Sequence, residues 1–140
     1  MFSEGIDIKQ FAGMPPLQLI ELLDESMIMA EELASLVTSS EGLGIAAEMD
    51  SAISRCKAQI EEIVPGVATS VPVRPMDGMT DRETRLRHLI LCIIRAAETD
   101  NMRSQWLLAE LTYGFALVAG RLGDVYARVT AESEADEIFS

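Results

Sequence analysis

The sequence predicts an all-α protein, a four-helix bundle built from two antiparallel helical hairpins. Three observations predict it. Apolar residues recur at steps of three and four in four separate stretches, the spacing of one helix face. The 140 residues are 49% hydrophobic but only 5% aromatic, and a core of Leu, Ile, Ala, Val and Met favours helices over sheets. Two of the three breaks between stretches are short, which makes their flanking helices antiparallel neighbours. The length suits one core, so residues 1–140 are read as a single helical-bundle domain.

Residues 1–14 hold Phe2, Ile6, Ile8 and Phe11 without a sustained period and are expected to form a loosely docked arm. Pro15 and Pro16 suit a helix start, where a missing amide hydrogen costs nothing. The first helix, residues 17–38, turns Ile20, Leu23, Met27, Ala30, Ala34 and Val37 inward and leaves Glu21, Asp24, Glu25, Glu31 and Glu32 in solvent. Ser39, Ser40 and Gly42 break the pattern. The second helix, residues 42–64, repeats it with Ala46, Met49, Ile53, Cys56, Ile60 and Ile63. Residues 65–79 (PGVATSVPVRPMDGM) have three prolines, two glycines and no period. So long a loop in a compact domain is expected to be functional or mobile, and it leaves the direction of the next helix open.

Thr80 and Glu83 form a capping box for the third helix, residues 80–98, with Leu86, Leu89, Ile90, Ile93 and Ile94. Thr99, Asp100 and Asn101 make a turn with a ready cap. The fourth helix, residues 102–131, carries the strongest pattern. Its seam is Leu108, Leu111, Phe115, Val118, Leu122, Val125 and Val129. Beside it runs a stripe of small residues, Ala109, Thr112, Ala116, Gly120, Gly123 and Ala127, a shallow track that another helix can approach closely. Residues 132–140 are expected to be a frayed acidic tail.

Charge narrows the function. The net charge is −12, which argues against nucleic acid or an anionic membrane as partner. It is uneven: residues 1–70 carry 12 acids and 3 bases, residues 71–140 carry 11 and 8. No stretch reads as a secretion signal, and two cysteines without framework spacing suit free thiols in a reducing cytoplasm. Nine arginines against two lysines fit a GC-rich bacterial coding sequence.

Catalytic motifs are absent, and no cofactor is expected. His88 has no second positioned group for acid–base work and reads as a partly exposed surface residue. Cys56, His88 and Cys92 have the chemistry of a zinc or copper set, but both cysteines fall on apolar positions, where Cys is a common core residue. The expectation is no metal. The favoured function is a non-enzymatic protein acting through protein–protein interaction: a regulator, adaptor or chaperone. Its partner is a protein or a second copy in a homodimer. The surface is assigned to the third and fourth helices, at Trp106, Leu107, Tyr113, Leu117 and Gly120, with Arg85 and Arg87 meeting an acidic partner. Two plainer readings stand beside it. The arm, through Phe2, Ile6 and Phe11, covers that surface, and the arginines neutralise carboxylates of the first two helices. The alternative function is a small ligand- or metal-binding bundle with enzymatic activity.

The run Met14-Pro15-Pro16-Leu17 leading into the first helix, with the length and paired helices, resembles flagellar and secretion export chaperones. The resemblance implies a helical bundle that holds a protein partner. It carries no individual residue role across.

Overall fold

The computed structural model describes residues 8–139, with side chains to residue 133. All regular structure among them is helical, and six helices pack together: α1 (Lys9–Ala12), α2 (Pro16–Leu36), α3 (Ser40–Ile63), α4 (Val67–Ser70), α5 (Asp81–Ala97) and α6 (Asn101–Phe139). Local chemistry sets the ends. Pro16 takes the first turn of α2. The Ser39 hydroxyl accepts from the Gly42 amide at 3.2 Å, and Thr80 accepts from Glu83 at 3.1 Å. Asp100 accepts from the Arg103 amide at 3.0 Å to start α6.

The core gathers around α6, which packs against α1, α2, α3 and α5. Phe115 and Leu122 are fully buried on it, with Leu19, Leu23 and Met27 of α2 and Met49 and Ile60 of α3. Cross-helix contacts give the directions. Gln105 donates to the Met14 carbonyl, Thr112 sits on the Leu19 carbonyl and Gly123 faces Leu33, so α2 runs parallel to α6. Arg121 pairs with Glu48 and Arg128 with Glu41, so α3 runs antiparallel to it. Arg82 reaches Asp50 near the start of α5, which therefore descends alongside α3. That direction makes residues 65–80 a crossover returning along the bundle.

Three expectations change. The helices α2 and α3 run in opposite directions but meet only sparingly; the main partner of α2 is α6. The crossover is not a free loop throughout. Val67 is buried, the Glu61 carboxylate accepts from the Gly66 and Ala68 amides at 2.7 and 2.9 Å, and His88 Nε2 donates to the Val71 carbonyl at 2.9 Å. Those amides hold the Glu61 carboxyl below its usual pKa. Pro65, Gly66, Thr69 and Ser70 are exposed around these anchors, and from Pro72 to Gly78 every residue is exposed. Finally, the acidic tail is not frayed: α6 continues to Phe139, because Ala and Glu are good helix formers and no Gly or Pro interrupts them.

Candidate interaction surface

Helix α6 uses its small and large residues on different sides. From Ala109 to Gly120 the small stripe is buried: Ala109 and Thr112 are fully covered and Ala116 and Gly120 nearly so, whereas Gly123 is half-buried and Ala127 exposed. The helix in its track is α2 of the same chain, with the Thr112 hydroxyl 3.4 Å from the Leu19 carbonyl and 2.8 Å from Leu108. Gly120 is thus withdrawn as a partner contact. A small residue permits close approach, and the nearest apolar helix takes it. Leu107 is corrected for a related reason. It is 6% exposed and belongs to the core, since on a helix with neighbours on most sides a flanking position is still internal, and it meets the α3–α6 groove only as part of the lining of its larger cleft.

The outward stripe faces α3. Trp106 is 45% exposed and Met102 85%. Glu110, Tyr113, Gly114 and Leu117 are half-buried along the same line. Between this stripe and α3 lie two clefts. One, about 640 Å³, is lined by Met102, Trp106 and Glu110 from α6 and by Gln59 and Glu62 from α3. The other, about 390 Å³, is lined by Glu110, Tyr113 and Leu117 and by Ala52, Arg55, Cys56 and Gln59. The clefts share Gln59 and Glu110, and the N-terminal turn lies over the groove between them. Ala12 borders the larger cleft and Ile8 the smaller. Phe11 is buried, with its ring centroid 6.2 Å from that of Tyr113. Coverage by the arm is therefore real at Phe11, while Phe2 and Ile6 lie outside the described residues. Trp106 keeps its exposure beside that turn.

The arginines are engaged. Arg82 bridges Asp50 (3.0 Å) and Glu31 (3.3 Å), Arg85 bridges Asp50 (2.6 Å) and Asp81 (3.1 Å), and Arg87 meets Asp24 (3.1 Å). Arg82, with Arg85 behind it, holds the Asp50 carboxyl below its ordinary value against a smaller opposing effect of burial. Arg85 and Arg87 thus neutralise carboxylates of their own chain, chiefly those of α2 and α3, while their side chains stay 41% and 47% exposed.

His88 is likewise corrected, being 6% exposed rather than on the surface. Its Nε2 is committed to Val71, and Cys92 Sγ lies 3.7 Å from the same nitrogen. Burial pushes the Cys92 thiol up. It also pushes the Cys56 thiol to about 11, with Glu110 adding to the effect and Arg55 opposing it. A thiol so raised is a poor nucleophile near neutrality. Among the described residues no three His, Cys, Asp or Glu side chains converge on a metal-sized space, and no helix is long and apolar enough to cross a membrane.

The α3 wall, Arg55, Gln59 and Glu62, was missed from sequence. A signal existed: with Ala52 these positions step by three and four along one side of the predicted second helix. Compared with protein-family profiles, curated proteins and solved structures, the chain matches none.

Proposed function

We propose that this is a non-enzymatic helical-bundle protein, a cytoplasmic regulator, adaptor or chaperone that works by holding another protein or a second copy of itself. The four long helices are read as a four-helix bundle. In it α5 and α6 form an antiparallel hairpin, and α2 and α3 an antiparallel pair set apart by α6. The binding surface is the outward stripe of α6 with the facing wall of α3. One observation carries the reading: Trp106 stays 45% exposed above an apolar cleft on a helix whose other large apolar side chains are mostly sealed. Aromatic side chains at a groove are the usual energetic centres of interfaces, and a groove between helices suits an amphipathic helix.

The test is a Trp106→Glu/Leu117→Glu chain examined at about 0.5 M salt, where exposed ion pairs are screened. Self-association, or capture of a partner crosslinked through position 117 in the wild type, should be lost with helicity unchanged by circular dichroism. Unaltered association would sink the proposal.

A further inference from the structure

A third cleft lies where the crossover passes along α5. It measures about 410 Å³ and is lined by Val71, Pro72, Arg74, Leu91, Ile94 and Arg95, with Glu98 at its edge. Leu91 and Ile94 are 45% and 50% exposed, and Val73 and Met76 of the crossover are more so. In a chain of net charge −12 this is a positive place. Arg74 has no ion pair among the described residues, and Arg95 reaches Glu98 only at 3.9 Å. By contrast, Arg82, Arg85 and Arg87 are paired within 3.3 Å. The cleft therefore combines exposed aliphatic side chains with guanidinium charge not yet spent on the chain itself.

At the opposite end of the molecule α6 outruns its neighbours. Among the described residues Arg128, paired with Glu41 in the first turn of α3, is its last ion pair to another helix. From Val129 to Phe139 the helix continues for about 16 Å. After Arg128 the sequence holds Glu132, Glu134, Asp136 and Glu137 and no base, then Ile138 and Phe139. Ala131, Glu132 and Ser133 are exposed, acidic residues oppose the dipole at a helix C-terminus, and a short helical stretch is marginal in water by itself. A cationic cover with an apolar floor would stabilise it on both counts. The cleft offers that cover, but not to its own chain: the cleft adjoins the turn that starts α6, and about 50 Å of helix separates it from the acidic end.

We infer that the acidic C-terminal end of α6 from one copy docks in the α5–crossover cleft of a second copy, with Arg74 and Arg95 as the cationic side of the contact. The contact is head-to-tail, so it propagates from copy to copy instead of closing as a two-fold dimer. It does not involve the α3–α6 groove.

Sedimentation of the full chain over tens to hundreds of micromolar tests this. At low salt the average mass should keep rising with concentration, and at about 0.5 M salt this head-to-tail growth should be lost, leaving at most the association through the α3–α6 groove, because exposed charges are then screened. Arg74→Glu/Arg95→Glu should weaken association at least tenfold, as should Glu132→Arg/Glu134→Arg on the other side of the contact. Mixing those two variants should restore it. A wild type that is monomeric throughout, variants that associate as before, or a mixture that stays apart would each overturn the inference. Trp106→Glu/Leu117→Glu should leave the low-salt association intact. If that variant abolishes it, the contact belongs to the α3–α6 groove and the tail is not the occupant.

Discussion

Helix α6 meets α2 on one side and α3 on the other, and the two contacts are built differently. Against α2 the residues of α6 are Ala109, Thr112, Ala116, Gly120 and Gly123, and the parallel helices seal Leu19, Leu23 and Met27 completely. Against α3 the facing side chains are longer and more polar. Arg121–Glu48 and Arg128–Glu41 tie the antiparallel pair near one end. Nearer the other end the helices part into the two clefts around Trp106, Glu110 and Leu117. Small residues on a long helix invite the closest apolar neighbour, here within the chain. Long amphipathic side chains hold two helices together while leaving space between them, and that space is where a partner fits.

The comparison can be broken in stages. The largest effect belongs to the seam both contacts share: Phe115→Ala should cost about 3–5 kcal/mol in urea unfolding, the usual range for emptying an aromatic core site. A loss under about 0.5 kcal/mol would mean the seam is not the core.

Adding bulk separates the two sides. Ala109→Leu, on the sealed α2 side, should cost roughly 1–3 kcal/mol by overpacking. Ala52→Leu borders the smaller cleft and should change stability by less than about 0.5 kcal/mol. Equal costs would erase the distinction between a tight and an open contact.

Gly114 sharpens it further. A Cβ there would meet nothing within 4 Å, so Gly114→Ala should stabilise by about 0.5–1 kcal/mol through helix propensity alone. Destabilisation would show that the groove closes over this point in solution.

The smallest effect is electrostatic. The Asp50 carboxyl is depressed chiefly by Arg82, so its contribution is present above the unfolded aspartate value near pH 4 and is lost as pH falls through the lower folded value. Its side chain is 39% exposed, and screening keeps the whole effect under about 1 kcal/mol. Arg82→Ala should flatten this acid limb in unfolding measured from pH 5 to 2. An unchanged limb would assign it to other carboxylates.

Much of the candidate surface was legible in outline. Trp106, Tyr113 and Leu117 stand out as apolar residues beyond the seam, and the structure places them on the groove. Gly120, buried, and Leu107, a core residue that only lines the larger cleft, were indistinguishable from them in one dimension, because a flanking position on a helix is surface or core according to how many neighbours surround it. Phe11 shows the same limit. A four-residue helix has too few positions to display a period, so its burial against Tyr113 depends on a contact about a hundred residues away in sequence.

By itself the sequence determined the four long helices and most of their ends, but not the short α1 and α4. Residues at three- and four-residue spacing, Pro16, the hydroxyls of Ser39 and Thr80 and the carboxylate of Asp100 act within one turn, and local geometry needs no distant partner. Tertiary structure alone decided which helix lies beside which. The small stripe of α6 would accept any close apolar helix, and α2 fills it because the crossover sends α5 down alongside α3. The arginines of α5 carried no address until Asp50, Glu31 and Asp24 were brought within reach. Spacing along the chain specifies a face, whereas occupancy of that face is a property of three-dimensional neighbours.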